Sequence, residues 1–451
     1  MGDRLEQSVC PSGSPPVDFH PMRPDLLRTA PPPFADLTLE ALSNCEVYDA
    51  PTADGWVLRI TRFRPLRQAF AQPLFNEPIL LVPGWSQNRH CFSTDFLKHL
   101  LMDGADLHIL ELRGHGRSSR ELQLERAAKT CRTAPKDLDW EWDLDSYLLD
   151  DLPSGVAAVK AKTGREKITL VGNSMGGMIG YGYAAQHRDL LALATLAAPG
   201  ALGRGFPALR LLASLGPPLI GPAVDALFHV ATRADKVRHR AAGLLRQIRF
   251  LERTADLLSE SAPPLPRKFR HVPLDAWLPL LARIATPENL ARFTRLQSLA
   301  RRMGSLINPE RVAHEELIGL LQRGGEKEPR KVVEQFARWI RDGRMVCERT
   351  GFDYQQGFAN IEVPLAILFG DLDRLASRRS TGVVARRASS EYKLWRSVAE
   401  NSHLELTMGA DVALSCESIR ELVLYAKSRA RSGDPRALSR EPLLRAVGAG
   451  S

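Results

Sequence analysis

Short apolar runs bounded by glycine, proline and charged residues recur along this chain. CEVYDA and WVLRITR flank a turn at Asp54-Gly55 and predict a β-hairpin over 45–62. PILLVPG (78–84), DLHILELRG (106–114), KITLVG (167–172), LALATLA (191–197), PLAILFG (364–370) and YKLWRS (392–397) follow. They are rich in Leu and β-branched residues and show little polar alternation, the pattern of strands buried on both faces. Helical patterns fill the gaps, among them Ser154–Lys162, Met175–His187, Ser377–Arg387 and Val412–Ala430. Strands alternating with helices predict an α/β fold, a mostly parallel sheet covered by helices on both sides.

The alternation stops near Gly200 and resumes at Val363. The intervening 201–363 segment, rich in Leu, Ala and Arg with proline breaks, predicts several helices. The core is therefore expected in two parts, 41–200 and 364–428. Residues 1–40, with Pro31-Pro32-Pro33, predict a flexible lead-in, and 429–451 a flexible tail.

Composition narrows the setting. Of 451 residues 44% are hydrophobic, ordinary for a chain that buries a core. The longest apolar stretch, Phe206 to Thr232, is broken by Arg210, Gly216-Pro217-Pro218, Gly221-Pro222 and Asp225, so no transmembrane helix is expected. The N-terminus has no basic region leading into an apolar core, and Glu6 stands where myristoylation wants Ser or Thr. The expectation is a cytoplasmic protein. Cys10, Cys45, Cys91, Cys131, Cys347 and Cys416 form no C-x-x-C pair, which suggests neither a zinc site nor a disulfide framework. Residues 201–363 hold 26 Lys and Arg against 17 Asp and Glu, so the whole net excess of +9 belongs to that segment.

The candidate chemistry begins at ITLVGNSMGG. Gly172-Asn173-Ser174-Met175-Gly176 fits G-x-S-x-G, in which glycines let a strand turn sharply into a helix and leave the serine hydroxyl exposed. Chance alone gives this pattern in roughly one chain in seven of this length. The apolar strand before it and the small-residue helix after it make it specific. A serine hydroxyl needs a base. In this arrangement an acid and then a histidine follow the serine in chain order. His403, in ENSHLEL, alone among eleven histidines lies beyond the acid loop. Asp371 and Asp373 both follow PLAILFG; the G-x-x-D spacing favours Asp373, thirty residues before His403, with Asp371 as the alternative. Backbone N–H donors for an oxyanion are expected at Met175, after the nucleophile, and at Trp85, after Gly84.

Four co-linear stretches resemble the α/β-hydrolase superfamily, and within it the acid lipase branch of lysosomal and gastric lipase-like proteins. They are YDAPTADGWVLRITR, WDLDSYLLDDLPSGVAAVKAKTGREKITLVGNSMGG, VPLAILFGDLDRLAS and NSHLELTMGADV. The likeness covers 45–200 and 350–428. It implies an α/β-hydrolase fold with a cap inserted between the sixth and seventh strands, and hydrolysis of carboxylic esters with lipid-like acyl groups. Two positions depart from the pattern: Pro83 and Asn173 stand where the branch often has His. LRGHGRSS is closer to the wider superfamily, and 201–363 shows no usable likeness.

With Ser174, Asp373 and His403 as triad, no metal or organic cofactor is needed. The expected partner is a small-molecule or lipid ester. The basic run with Arg233, Lys236, Arg238, Arg240, Arg246, Arg249 and Arg253 is a solvated face or a weak attraction to anionic membrane. Nucleic acid is not expected, because no binding motif or aromatic interleaving accompanies the charge. An acyltransferase or polyester-synthase-like enzyme is the alternative activity. LVPGW fits it, Ser174 in place of a cysteine does not. A non-catalytic binding protein on the same fold is the remaining alternative.

Overall fold

The computed structural model describes residues 19–22, 37–67, 72–131, 133–205, 270–275, 278–279, 282 and 307–432. A nine-stranded sheet organises them, formed by β1 (Phe19–Met22), β2 (Ser43–Pro51), β3 (Val57–Pro65), β4 (Pro78–Val82), β5 (Asp106–Glu111), β6 (Ile168–Asn173), β7 (Leu190–Leu196), β10 (Leu365–Gly370) and β11 (Lys393–Val398). Their spatial order is β1-β11-β10-β7-β6-β4-β5-β3-β2. The hairpin β2–β3 is antiparallel and joins β5 antiparallel; every other neighbouring pair is parallel.

The unbroken apolar runs have the reason expected. All five residues of β4 are buried. Ile79 and Leu81 enter one core cluster, with Leu107, Ile109, Val171 and Ile419. Leu80 and Val82 enter the other, with Leu110, Leu170, Val156 and Ile367. Successive side chains of a strand point to opposite faces, so a sheet covered on both sides needs apolar residues at every position. The helices Thr94–Met102 and Val412–Ser432 cover the first face. Leu152–Thr163, Met175–Gln186 and Arg378–Arg387 cover the second.

Three details differ from the sequence reading. The 1–40 segment contributes β1, which pairs parallel with β11 at the sheet edge, Phe19 opposite Trp395. A four-residue run containing Pro21 carries no alternation, and an edge is where a strand tolerates proline. The last helix continues to Ser432, a short way into the expected tail. The third lies between β7 and β10. Counted from the hairpin, this is the break between the sixth and seventh strands of the sheet. Besides the helices His314–Arg323 and Arg330–Asp342 it contains a two-stranded antiparallel pair, β8 (His271–Pro273) and β9 (Lys327–Pro329). Strands of three residues are too short to show a period. The basic run 233–253 lies outside the described residues. No helix among the described residues is long and apolar enough to cross a membrane.

Candidate active site

The sheet's carboxyl edge gathers the candidate side chains. β6 ends at Asn173, and Ser174 turns the chain with φ +49° and ψ −115° before the helix Met175–Gln186 begins. A side chain at positive φ is strained by about 1–3 kcal/mol and persists only when its surroundings over-determine it. Here Ser174 N donates to Leu196 O at 2.8 Å, while Gly177 N and Met178 N donate to Ser174 O at 3.0 and 3.1 Å. The first helical turn sits directly against the end of β4. A Cβ at Gly176 would lie 2.3 Å from Val82 O and 2.5 Å from Pro83 O. Only glycine fits that approach.

His403 bridges the serine and the acid. Its Nε2 is 2.8 Å from Ser174 Oγ, and its Nδ1 is 2.8 Å from Asp373 Oδ2. A carboxylate only accepts, so in the neutral ring Nδ1 carries the proton and Nε2 is left to accept from the Ser174 hydroxyl. Asp373 Oδ1 accepts from Leu375 N at 2.8 Å and Ala376 N at 2.9 Å, which fixes the carboxylate. Asp373 and His403 are both buried. Burial of His403 opposes its charged form, but the charge and hydrogen bond of Asp373, with a smaller pull from Glu405, outweigh it and raise the imidazole pKa. Asp371 is exposed; its backbone N–H donates to Val398 O. Of the two acids, Asp373 is the one that meets His403.

The histidine loop crosses tightly over β10, since a Cβ at Gly370 would lie 2.2 Å from Asn401 O. Its shape is held from within. Asn401 Nδ2 donates to Asp411 Oδ2 at 2.8 Å. Glu405, buried behind His403, accepts from Ser402 N and from Asn308 N, the latter at 2.6 Å. Burial pushes the Glu405 carboxyl up to about 7, against its backbone donors and the nearby imidazole, which favour its charge.

The loop after β4 lies on the other side of Ser174. A Cβ at Gly84 would lie 3.1 Å from Ser174 Cβ, so Trp85 follows a residue already touching the serine. Gln87 Oε1 accepts from Gly84 N at 3.2 Å and from Asn173 Nδ2 at 3.1 Å, tying the loop to the residue before the elbow. Met175 supplies the first amide of the helix that begins after Ser174.

Of the residues expected from sequence, the structure joins Ser174, His403 and Asp373 by hydrogen bonds; sequence reasoning did not single out Gln87, Glu405, Glu326 or Glu328. A glutamine three residues after the loop glycine was the available signal for Gln87. Nothing local marks the glutamates. Among the described residues no group of three or more His, Cys, Asp or Glu is placed to hold a metal ion.

Residues 77–404 match the model of the alpha/beta hydrolase fold family, well over half of the chain. This chain belongs to that family. No curated protein matches it. Among solved structures, this hydrolase-fold chain is similar to a membrane phospholipase A described as a novel bacterial virulence factor, with 15% identity, 85% of this chain and 87% of that chain covered, and a TM-score of 0.42. A thermophilic esterase from Thermogutta terrifontis is 15% identical, covers 84% of this chain and 99% of its own, and has a TM-score of 0.40. The esterase RhEst1 from Rhodococcus sp. ECU1013 is 16% identical, with 84% and 98% covered and a TM-score of 0.42. Likeness at that level leaves activity open.

Proposed function

We propose that this protein is a serine hydrolase of carboxylic esters, acting through an acyl-enzyme on Ser174. The observation that carries the reading is the continuous hydrogen-bonded chain Ser174–His403–Asp373, with 2.8 Å at both links. Attack of Ser174 Oγ on the ester carbonyl passes the hydroxyl proton to His403 Nε2. Asp373 holds the ring in the Nδ1–H tautomer and stabilises the imidazolium. The N–H groups of Met175 and Trp85 receive the developing oxyanion; one such donor is worth about 3–4 kcal/mol in the transition state. The imidazolium returns its proton to the leaving alcohol. Water, deprotonated by His403, then attacks the acyl-enzyme and frees the acid. Resemblance to the acid lipase branch makes lipid-like acyl groups the substrate class, and the insertion between β7 and β10 is the cap over them.

The test is turnover of p-nitrophenyl esters of graded chain length, with product analysis. A burst of p-nitrophenol followed by steady release of free acid supports the reading. Absence of turnover across the series overturns it. Turnover that starts only when an alcohol acceptor is added replaces it with an acyltransferase.

A further inference from the structure

The insertion reaches back into the site through a strand whose acidic residues look, in sequence, like a surface patch. In GGEKEPR the residues Gly325 to Glu328 run alongside the loop that follows β4. Gln87 and Gly325 form an antiparallel bridge. Glu326 N donates to Ser86 O at 2.9 Å, and Asn88 Nδ2 donates to Arg323 O at 2.7 Å. Ser86 Oγ also donates to Glu326 O. Ser86 needs such support, because its φ of +55° is one that non-glycine residues seldom adopt.

Glu328 is the deepest contact of this seam. It is fully buried, and its Oε1 accepts from Ser86 N at 2.7 Å. Its Oε2 accepts from Tyr147 OH at 2.9 Å, and that hydroxyl in turn accepts from Trp142 Nε1 at 2.9 Å. His115 Nε2, also fully buried, lies 3.2 Å from Glu328 Oε1. A buried carboxylate is costly unless every lone pair has a use. Here its hydrogen bonds come from one loop amide and one tyrosine, with the His115 ring beside it. The amide is the one immediately after Trp85.

We propose that Glu328 is a positioning residue for the oxyanion side of the site: its carboxylate fixes the Ser86 amide, the peptide unit that carries the Trp85 carbonyl, and so restrains the adjoining unit that carries the Trp85 N–H. This rests on the ester-hydrolase reading and extends it. The insertion is then part of the machinery that sets the rate, besides covering the substrate. An oxyanion donor must be aimed before the reaction begins, since its worth comes from needing no reorganisation.

Glu328→Ala, Glu328→Gln and Glu328→Asp separate positioning from mere stability. Each is assayed with a p-nitrophenyl ester as kcat per Ser174 titratable by a fluorophosphonate. Complete loss of one oxyanion donor costs about 10²–10³-fold. Glu328→Ala, which misplaces one, is expected to lose at least about 10-fold in kcat, with KM changed less than about threefold. Glu328→Gln keeps an oxygen for Ser86 N and stays within about threefold of wild type in kcat. Glu328→Asp is a methylene short and follows Ala; it stands in if Ala does not fold. Hydrogen exchange of the peptide spanning 84–88 is measured in parallel and needs no substrate. It is expected to quicken in Ala and Asp but not in Gln. Unchanged kcat per titrated serine in Ala and Asp, or equal losses in Gln and Ala, overturns the proposal. So does unchanged exchange of 84–88. Wild-type protein inert to esters, with exchange responding as expected, sinks the ester reading and leaves the clamp on Ser86 standing.

Discussion

The two sides of Ser174 are held in different ways. On the acid–base side, Asp373 and His403 stand on loops that leave adjacent parallel strands, β10 and β11. The sheet register brings them together, and Gly370 lets one loop cross the other. On the side proposed to hold the oxyanion, the loop after β4 is braced at Ser86 by the Glu326 backbone and the Glu328 carboxylate, some 240 residues further along the chain. The first arrangement follows from the fold's topology. The second is made by the backbone of Glu326 and the buried carboxylate of Glu328, both in the insertion. On the proposed reading, the sheet alone brings the Ser174–His403–Asp373 chain together, whereas the loop proposed to carry an oxyanion donor is braced from the segment between β7 and β10.

The sharpest way to break the acid–base side is Asp373→Asn. The wrong imidazole tautomer is then favoured, and kcat should fall about 10⁴-fold. Asp371→Asn should change kcat less than about threefold, since the carboxylate hydrogen-bonded to His403 is that of Asp373. Equal effects in steady-state assays of the two variants would remove the distinction between them.

Packing at the elbow sets the next effect. Gly176→Ala forces a Cβ against Val82 O, so β4 and the helix must part. Overpacking of this kind costs about 1–3 kcal/mol, and denaturant unfolding should show that loss along with slower turnover.

A pH profile follows from His403. Its pKa is raised in the fold, and only the neutral ring can accept the serine proton. kcat/KM should rise with pH through an ionisation above the ordinary histidine value. In Asp373→Asn burial acts without its counterweight, so the residual activity should titrate at lower pH. The same shift stabilises the fold most at acid pH. That contribution is complete below the unfolded histidine value and is lost as pH rises through the folded one.

A further pH dependence concerns Glu405. With its carboxyl raised to about 7, the folded protein binds a proton there that the unfolded chain releases near 4.5. Its stabilising contribution is present below that lower value and is lost as pH climbs through about 7. Thermal melts should show the loss in wild type and a flatter profile in Glu405→Gln. An identical slope in both would remove Glu405 from the account.

How much of this was legible in the sequence follows the same division. The strands of the sheet announce themselves, because double-sided burial demands uninterrupted apolar runs such as ILLV and ITLV. Ser174, Asp373 and His403 were legible because the fold fixes their order and places each just past a recognisable strand. Trp85 was expected only as the residue after a glycine, and its N–H as an oxyanion donor is a proposal. Glu328 was not legible at all: EKEP has the composition of an exposed turn, and its burial is decided by Ser86, Tyr147 and His115, none of them near it in sequence. β1 and β9 escaped because three or four residues cannot display a period.

The central claim is that Ser174 is a nucleophile activated by His403. A fluorophosphonate probe followed by intact-mass and peptide mapping tests it directly. One adduct per chain is expected, on the peptide containing Ser174, abolished in Ser174→Ala and slowed by orders of magnitude in His403→Ala. Labelling that persists in Ser174→Ala, or a folded wild-type protein that takes up no probe, would contradict it.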